Sequence, residues 1–200
     1  MTWDSANNRW QGSTTYLRIY GGSTSPSPGK DSVRVWEAPE AGSINITGAV
    51  SKLGLTAGNG VVALIYKNST LLWSATVVPD TEATPTGLNN IVVREGDRIY
   101  FHINDNGDSN SDYTNWDPRV EFYPFFPATF NIHSASSAST VNIIASWFAN
   151  YGISSRLQGR TNLVDGAWED VGDTFEGAGK WITVTNDFTE ATGFFRILYE

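Results

Sequence analysis

The chain has 200 residues, no cysteine, a formal net charge of −8 at pH 7, and 13% aromatic against 17% charged residues. The lack of cysteine excludes a disulfide framework and thiolate metal sites, and the negative charge makes nucleic acids and anionic membranes poor partners. No segment approaches the roughly 20 apolar residues that a membrane-spanning helix needs. The start, Met1–Asp4, lacks the basic and apolar regions of a signal peptide, so either export is not used or the sequence is an excerpt from a longer precursor, and we favour the excerpt.

Strand patterns separated by turn residues run along the whole chain, beginning with Thr15–Tyr20. Three segments, Ser43–Val50, Arg98–Asn104 and Lys180–Asn186, alternate apolar and polar residues, as strands buried on one face do. Turn signals such as Gly58–Gly60 punctuate the strands, and no window of helical length shows a 3.6-residue period. The chain is therefore predicted to be all-β.

A change of module is predicted near Pro124 and Pro127, which enclose two phenylalanines. Prolines so placed interrupt the hydrogen-bond ladder of a strand. We therefore expect two β-sandwich modules, the first over residues 1–125 and a smaller one over residues 128–200.

Seven segments of the first module combine β-branched and aromatic residues with glycine and asparagine turns. They are Val33–Pro39, Ala41–Gly48, Gly60–Val62, Ile65–Asn68, Leu72–Trp73, Gly96–Phe101 and Tyr113–Pro118. Together, over about residues 28–123, they resemble a β-sandwich module that recurs in large secreted bacterial proteins, often beside glycoside hydrolases or polysaccharide lyases. The resemblance implies a jelly-roll-like sandwich with an accessory, carbohydrate-binding role.

The second module carries its own resemblance in Ser155–Leu163, Gly166–Val171 and Phe194–Ile197. These segments are similar to a short C-terminal module of exported bacterial proteins, although Ser155 stands where that pattern often has tyrosine. The resemblance implies a fibronectin type III- or immunoglobulin-like sandwich that serves as a spacer or attachment unit. Neither family supplies a catalytic residue.

Catalytic motifs are missing around both histidines, His102 and His133, which lie in predicted strands. A serine hydrolase would need a nucleophile on a sharp turn, and no Gly-x-Ser-x-Gly, phosphate-binding loop or paired-histidine motif occurs. A pair of carboxylates across a glycosidase cleft stays open, because acidic residues are plentiful. We expect the chain not to be an enzyme.

The densest polar cluster is the loop over residues 104–112, continuing to Asp117. Its carboxylates are the hard oxygen ligands that Ca²⁺ prefers, which makes Asp105, Asp108, Asp112 and Asp117 candidate metal ligands. The spacing does not fit an EF-hand, so a calcium site here would be an irregular loop. A solvated turn of ordinary composition is the alternative.

Sugar rings stack their C–H faces on aromatic side chains while polar neighbours bond to their hydroxyls. Five residues combine these properties and are candidate carbohydrate-binding residues: Trp116, Tyr113, Trp181, Trp36 and Arg34. Core packing is the alternative for every tryptophan, and it is the expected role of Trp73, Trp147 and Trp168. Trp116 is also a candidate plug for one end of the sandwich.

Two Asn-x-Ser/Thr sequons, at Asn68 in a predicted turn and Asn45 in a predicted strand, are candidate glycosylation sites. The interpretation we favour is a non-catalytic, extracellular or cell-surface module that binds polysaccharide or glycan weakly and gains strength by avidity. The alternative is a subunit that assembles with copies of itself into a filament or surface layer. The apolar final segment, Gly193–Glu200, suits strand-edge or head-to-tail contacts of that kind.

Overall fold

The computed structural model describes residues 1–14, 16–52, 54, 56–126, 131–137, 140–188 and 193–200, with the backbone alone for 132–137, 140–142 and 186–188. The described residues form strands, turns and bends without a helix, which confirms the predicted all-β fold. No helix of the described chain therefore offers the length and apolar character needed to cross a membrane.

The chain divides into two compact units, Met1–Phe122 and Tyr123–Glu200. The assignment of two sandwich modules stays a prediction. Residues 127–130, where the predicted linker ends and the second module begins, lie outside the described residues.

Fourteen strands begin in the described residues of the first unit. They are β1 (Thr2–Asp4), β2 (Arg9–Gln11), β3 (Arg18–Ile19), β4 (Ser23–Ser25), β5 (Ser32–Glu37), β6 (Gly42–Thr47), β7 (Val50–Ser51), β8 (Val61–Lys67), β9 (Thr70–Val77), β10 (Glu82–Ala83), β11 (Ile91–Val93), β12 (Arg98–Asn104), β13 (Thr114–Trp116) and β14 (Arg119–Pro124).

These strands form three sheets, ordered β1-β2-β3-β4-β13-β7-β10, β11-β6-β14 and β5-β12-β8-β9. Neighbouring strands with a described register run antiparallel; in the third sheet Tyr100 lies opposite Val35 on one side and Tyr66 on the other. Antiparallel sheets of this kind can bury one face and expose the other, which is what an alternating sequence specifies.

The alternation of apolar residues decides which face of each strand is buried. In β12 the apolar row lies in the core and the intervening residues are half-buried or exposed, while in β6 Ile44 and Ile46 lie in the core together with the buried Ser43. The buried core of the first unit unites residues from most of its long strands: Ala38, Ile44, Ile46, Val50, Val61, Ala63, Ile65, Val77, Leu88, Val93, Ile99, Phe101, Ile103 and Trp116.

Five short strands of this unit were not predicted from the sequence: β1, β2, β4, β10 and β13. β1 and β2 precede the first predicted strand, and Thr15, where that prediction began, lies outside the described residues. Strands of two or three residues are too short to display a two-residue period.

In the part of the second unit that the structure describes, six strands form two sheets, ordered β15-β16-β19 and β18-β17-β20. The strands are β15 (Asn131–Ser137), β16 (Thr140–Ala149), β17 (Ser155–Arg160), β18 (Glu169–Asp170), β19 (Lys180–Phe188) and β20 (Phe194–Tyr199). Their core is small and separate from the first: Ala145, Trp147, Ala149, Leu157 and Ile182.

The three tryptophans predicted to lie in the core differ in their burial. Trp147 is buried and its indole Nε1 donates to Ser155 Oγ at 3.0 Å, while Trp73 is half-buried against the first core. Trp168 was predicted wrongly: it is half-buried and outside the second core, and the guanidinium groups of Arg160 and Arg196 lie 4.7 and 4.5 Å from the centroid of its ring. Two cations on one indole hold it by cation–π attraction outside the core.

Candidate functional site

A polar cleft of 430 Å³ opens in the first unit between the chain around β3 and β4 and the loop over residues 105–113. Tyr16, Arg18 and Ser25 line one side, and residues 108–113 line the other. The cleft brings together three predicted site residues, Tyr113, Asp108 and Asp112. It also contains residues that the sequence analysis did not select, namely Tyr16 and Arg18.

Two tyrosines give the cleft its aromatic surface. Tyr16 is 61% exposed and Tyr113 is 44% exposed, so each ring presents a large area to solvent. Tyr113 is held edge-to-face against Tyr20, with 6.1 Å between the ring centroids. A tyrosine fixed on one side and open on the other is suited to stack on a ligand at a low cost in conformational entropy.

The acidic loop is shaped by hydrogen bonds between its own side chains and backbone. Asp105 Oδ1 accepts from Gly107 N at 3.2 Å and Asp108 Oδ1 accepts from Asn110 N at 3.0 Å. These are Asx turns, the local bonds for which Asp is favoured in turns. At Gly58, where φ is +88°, a Cβ would lie 2.3 Å from the carbonyl oxygen of Asn110, so only glycine fits there.

A buried ion pair anchors this loop from beneath. Lys52 has no exposed surface, and its ammonium donates to Ser111 O at 2.6 Å and to Asp112 Oδ1 at 3.3 Å. The other carboxylate oxygen, Asp112 Oδ2, is buried without a hydrogen-bond partner. The loop is therefore held to the segment after β7 by an ion pair whose two side chains are inaccessible to water.

Burial raises the pKa of Asp112 to about 6, because the carboxylate loses its hydration. Lys52 opposes this increase in pKa, and the negative charges of Asp105 and Asp108 add to it. Desolvation therefore outweighs the attraction of the ammonium, as is common for buried ion pairs. A substrate cannot reach this carboxylate, so its raised pKa does not mark it as a general acid.

Four predicted carbohydrate-binding residues do not line the cleft: Trp116, Trp36, Arg34 and Trp181. Trp116 is 3% exposed, packs edge-to-face on Phe101 and donates from Nε1 to Gly48 O at 3.2 Å, so it plugs the core and offers no stacking face. Trp36 is half-buried and packs on Phe122. Trp116 and Trp36 are buried or half-buried because their strand positions face inward. The alternation of the sequence alone does not say which face of a strand points inward.

Arg34 is occupied by backbone carbonyls. Its guanidinium donates to Trp116 O at 2.7 Å, to Tyr20 O at 2.6 Å and to Ser23 O at 3.0 Å. Burial lowers the pKa of this group from its ordinary value, and Asp117 raises it. Arg34 thus joins β5 to the ends of β13 and the β3–β4 turn, which is a structural role.

Trp181 lies in the second unit and is exposed, as its polar-faced strand position predicts. Its ring meets Phe148 edge-to-face, with a centroid separation of 6.0 Å. Phe148 also contacts Phe126, which is itself exposed. Trp181 is therefore part of an aromatic surface of the second unit and does not line the polar cleft.

The candidate calcium ligands do not converge in the described residues. Within that part of the chain, no three His, Cys, Asp or Glu side chains come close enough to hold a metal ion. Asp105 and Asp112 are buried and Asp108 is exposed in the cleft. The negative charge of Asp117 lies near Arg34 and raises the pKa of that guanidinium. Lys52 already provides a positive charge beside Asp112, and the calcium site stays a prediction.

The two sequon asparagines bond to the backbone. Asn68 occupies the turn between β8 and β9 with φ of +53°; its Nδ2 donates to Asp97 Oδ1 at 2.8 Å and its Oδ1 accepts from Arg98 N at 2.9 Å. Asn45 Oδ1 accepts from Asn90 N at 2.9 Å. N-glycosylation leaves one N–H on Nδ2, so a glycan on Asn68 is compatible with its bond to Asp97 only if the sugar replaces the other hydrogen.

His102 pairs with Asp31 on the outer face of the third sheet, with 3.2 Å between Nδ1 and Oδ2. Tyr66 and Tyr100 flank its ring at 5.3 and 6.1 Å. His133 belongs to β15, and its side chain lies outside the described residues.

The sequence analysis missed Lys52 because lysine is almost always exposed, and the residue carries no local signal of burial. It missed Tyr16 and Arg18 because nothing in the sequence pairs them with a loop ninety residues away. Arg18 Nε is buried without a hydrogen-bond partner among the described residues.

No protein family, curated protein or solved structure matches the chain.

Proposed function

We propose that the protein is a non-catalytic carbohydrate-binding module that works outside the cell or at its surface, with the polar cleft as its binding site. The observation that carries this proposal is the pairing of two exposed tyrosines, Tyr16 and Tyr113, with polar groups in one cleft. Aromatic rings provide stacking faces for pyranose rings, and the neighbouring hydroxyl, amide and carboxylate groups suit sugar hydroxyls.

The proposal implies weak binding. Two stacking contacts worth about 1 kcal/mol each, with a few exposed hydrogen bonds, correspond to affinities near the millimolar range, about −4 kcal/mol. Such affinity suffices for a module that contacts a polymer at several places, because linked sites bind by avidity. A long polysaccharide should therefore be retained better than its monosaccharide.

The cleft also favours binding over catalysis. Asp112, the cleft carboxylate with the raised pKa, is buried against Lys52, and Asp108 is an exposed turn residue. A glycosidase needs a raised-pKa carboxyl group that touches the substrate together with a second carboxylate across the sugar. We expect no release of reducing sugar from polysaccharides that the protein retains.

Affinity electrophoresis in gels that contain soluble polysaccharides tests the cleft. We expect retardation of the native protein, about fivefold weaker retention for Tyr113→Leu, and near-native retention for Tyr113→Phe, because stacking needs the ring more than the hydroxyl. Asp108→Asn tests the polar wall, and Asp173→Asn, at an exposed position outside the cleft, is its matched control. Equal retention by Tyr113→Leu and native protein would remove the cleft as the site.

A second candidate function, self-assembly into a filament or surface layer, is favoured by the position of β20. This apolar strand is the last in the order β18-β17-β20, so one edge faces no neighbouring strand in the described part of the chain. Exposed strand edges pair with other chains. Light scattering and electron microscopy of the purified protein test it: regular filaments support assembly, and a concentration-independent monomer excludes it.

A further inference from the structure

A second cavity of 540 Å³ lies against the N-terminal hairpin of the first unit. Trp3 and Trp10 face each other across β1 and β2, and Trp10 is also the register partner of Ile19 on β3. Val33 and Val35, on the outer face of the edge strand β5, close the other side. None of these five residues lines the polar cleft.

The tryptophan pair is unusually exposed for residues of this size. The two indoles meet edge-to-face with 5.4 Å between centroids, yet each remains 48% exposed, and Val35 is 52% exposed. The mutual contact stabilises the hairpin, but it leaves about half of each indole uncovered in one continuous concave surface. Contiguous exposed apolar surface of this kind marks a binding site more often than isolated exposed residues do.

The lining of the cavity carries little charge. No carboxylate is among the described residues that line it, although the chain as a whole has a net charge of −8. Its one charged side chain, Arg34, is held by three backbone carbonyls. Asn8 and Tyr20 add polar groups at the margin of the apolar surface. Exposed indole faces with polar but uncharged neighbours match the two sides of an uncharged sugar ring.

We propose that Trp3 and Trp10 form a second carbohydrate-binding surface, for a neutral polysaccharide chain. It is a separate site from the polar cleft, and it does not require that the cleft binds anything. If both sites bind, one chain could occupy two surfaces of the same unit, and the gain would be one of avidity.

The experiment is affinity electrophoresis of the full chain in gels that contain hydroxyethylcellulose, xylan or glucomannan, with alginate as the anionic comparison. We expect native protein to be retarded by at least one neutral polysaccharide and less by alginate. Trp3→Leu and Trp10→Leu should each weaken retention about fivefold, since each removes one stacking ring but keeps an apolar side chain. Trp3→Phe should retain more binding than Trp3→Leu.

Controls separate this proposal from unfolding and from the polar cleft. Near-ultraviolet circular dichroism and the thermal midpoint report whether each variant is folded, and Leu71→Ala changes an exposed apolar residue outside the cavity. A loss with Trp3→Leu but not with Tyr113→Leu supports this surface and argues against the cleft. The reverse result overturns this proposal and supports the cleft.

Three further results would also overturn it: no retardation of native protein in any neutral gel, native retention by both leucine variants, or leucine variants that only dissociate a native dimer in light scattering. The last result would assign the surface to a second copy of the chain.

Discussion

The carboxylate of Asp97 accepts hydrogen bonds from two turns and so holds both in place. Asp97 Oδ2 accepts from Arg94 N at 2.9 Å within its own turn, while its Oδ1 accepts from Asn68 in the turn between β8 and β9. Lys67 adds an ion pair at 3.1 Å. The bond from Arg94 N, then that from Asn68, lowers the pKa of Asp97 to about 2.

We expect Asp97→Asn to destabilise the protein near neutral pH and to flatten its acid unfolding. A carboxyl group whose pKa falls on folding contributes stability above its unfolded value of 3.8, and this contribution is lost as the pH falls towards 2. The variant, which cannot ionise, should lose the slope of stability between these pH values. Urea unfolding at a series of pH values measures it; native and variant curves that stay parallel down to pH 2 would contradict the explanation.

At the scale of elements, the ion pair of Lys52 and Asp112 joins the acidic loop to the segment after β7. Since the pKa of Asp112 rises on folding from 3.8 to about 6, the folded state binds more protons than the unfolded state between these values. This carboxyl group therefore contributes a stability that falls as the pH rises through that window and is constant above it.

Lys52→Met should be strongly destabilising at pH 8, by about 3–5 kcal/mol, because it leaves the buried charge of Asp112 without compensation. The loss should be smaller at pH 5, where the carboxyl group can be protonated. The double variant Lys52→Met/Asp112→Leu should recover much of the stability, since apolar groups often replace a buried ion pair without cost. Urea unfolding at both pH values measures these differences, and an equal loss for Lys52→Met at pH 5 and pH 8 would contradict the assigned role of Asp112.

The acidic loop can also be tested for calcium binding. If Asp105, Asp108 and Asp112 bind Ca²⁺, millimolar calcium should raise the thermal midpoint of chelator-treated protein, as any ligand of the folded state does. The position of Lys52 leads us to expect no change, because its ammonium already lies against Asp112. A rise of several degrees that Asp108→Asn abolishes would instead establish a calcium site.

Strands whose residues alternate between apolar and polar could be predicted from the sequence, and strands without such an alternation could not. The alternation in β6 and β12 identifies the inward rows correctly, because half-buried strands select apolar residues at every second position. The same pattern does not say which face looks inward when both carry aromatics or long side chains. For this reason Trp36 and Arg34 were predicted as candidate carbohydrate-binding residues, although the structure turns both towards the interior.

The candidate site was predictable only in part. The composition of the loop identified Tyr113 and its acidic neighbours, because turn chemistry is local. Tyr16 and Lys52 come from segments distant in sequence, and only the order of β4, β13 and β7 in one sheet brings their segments close to the loop. Long-range strand order is not encoded in any short motif.

At the scale of the whole molecule, each unit has its own buried core and the two share no core residue. We therefore expect the units to unfold in separate steps. Leu157 is almost completely buried in the second core, and Leu157→Ala should cost about 2–5 kcal/mol through lost burial and the cavity left behind. The cost should be confined to the second unit, because the first retains all of its apolar contacts.

Native-state hydrogen exchange followed by mass spectrometry measures this directly, since it reports opening segment by segment. Leu157→Ala should speed exchange in peptides from Tyr123–Glu200 and leave those from Met1–Phe122 as in the native protein. Ile99→Ala, in the first core, is the matched variant and should give the opposite pattern. If either variant accelerated exchange in both units equally, the two units would unfold as one cooperative body. A ligand bound to the first unit would then stabilise the first and the second unit equally.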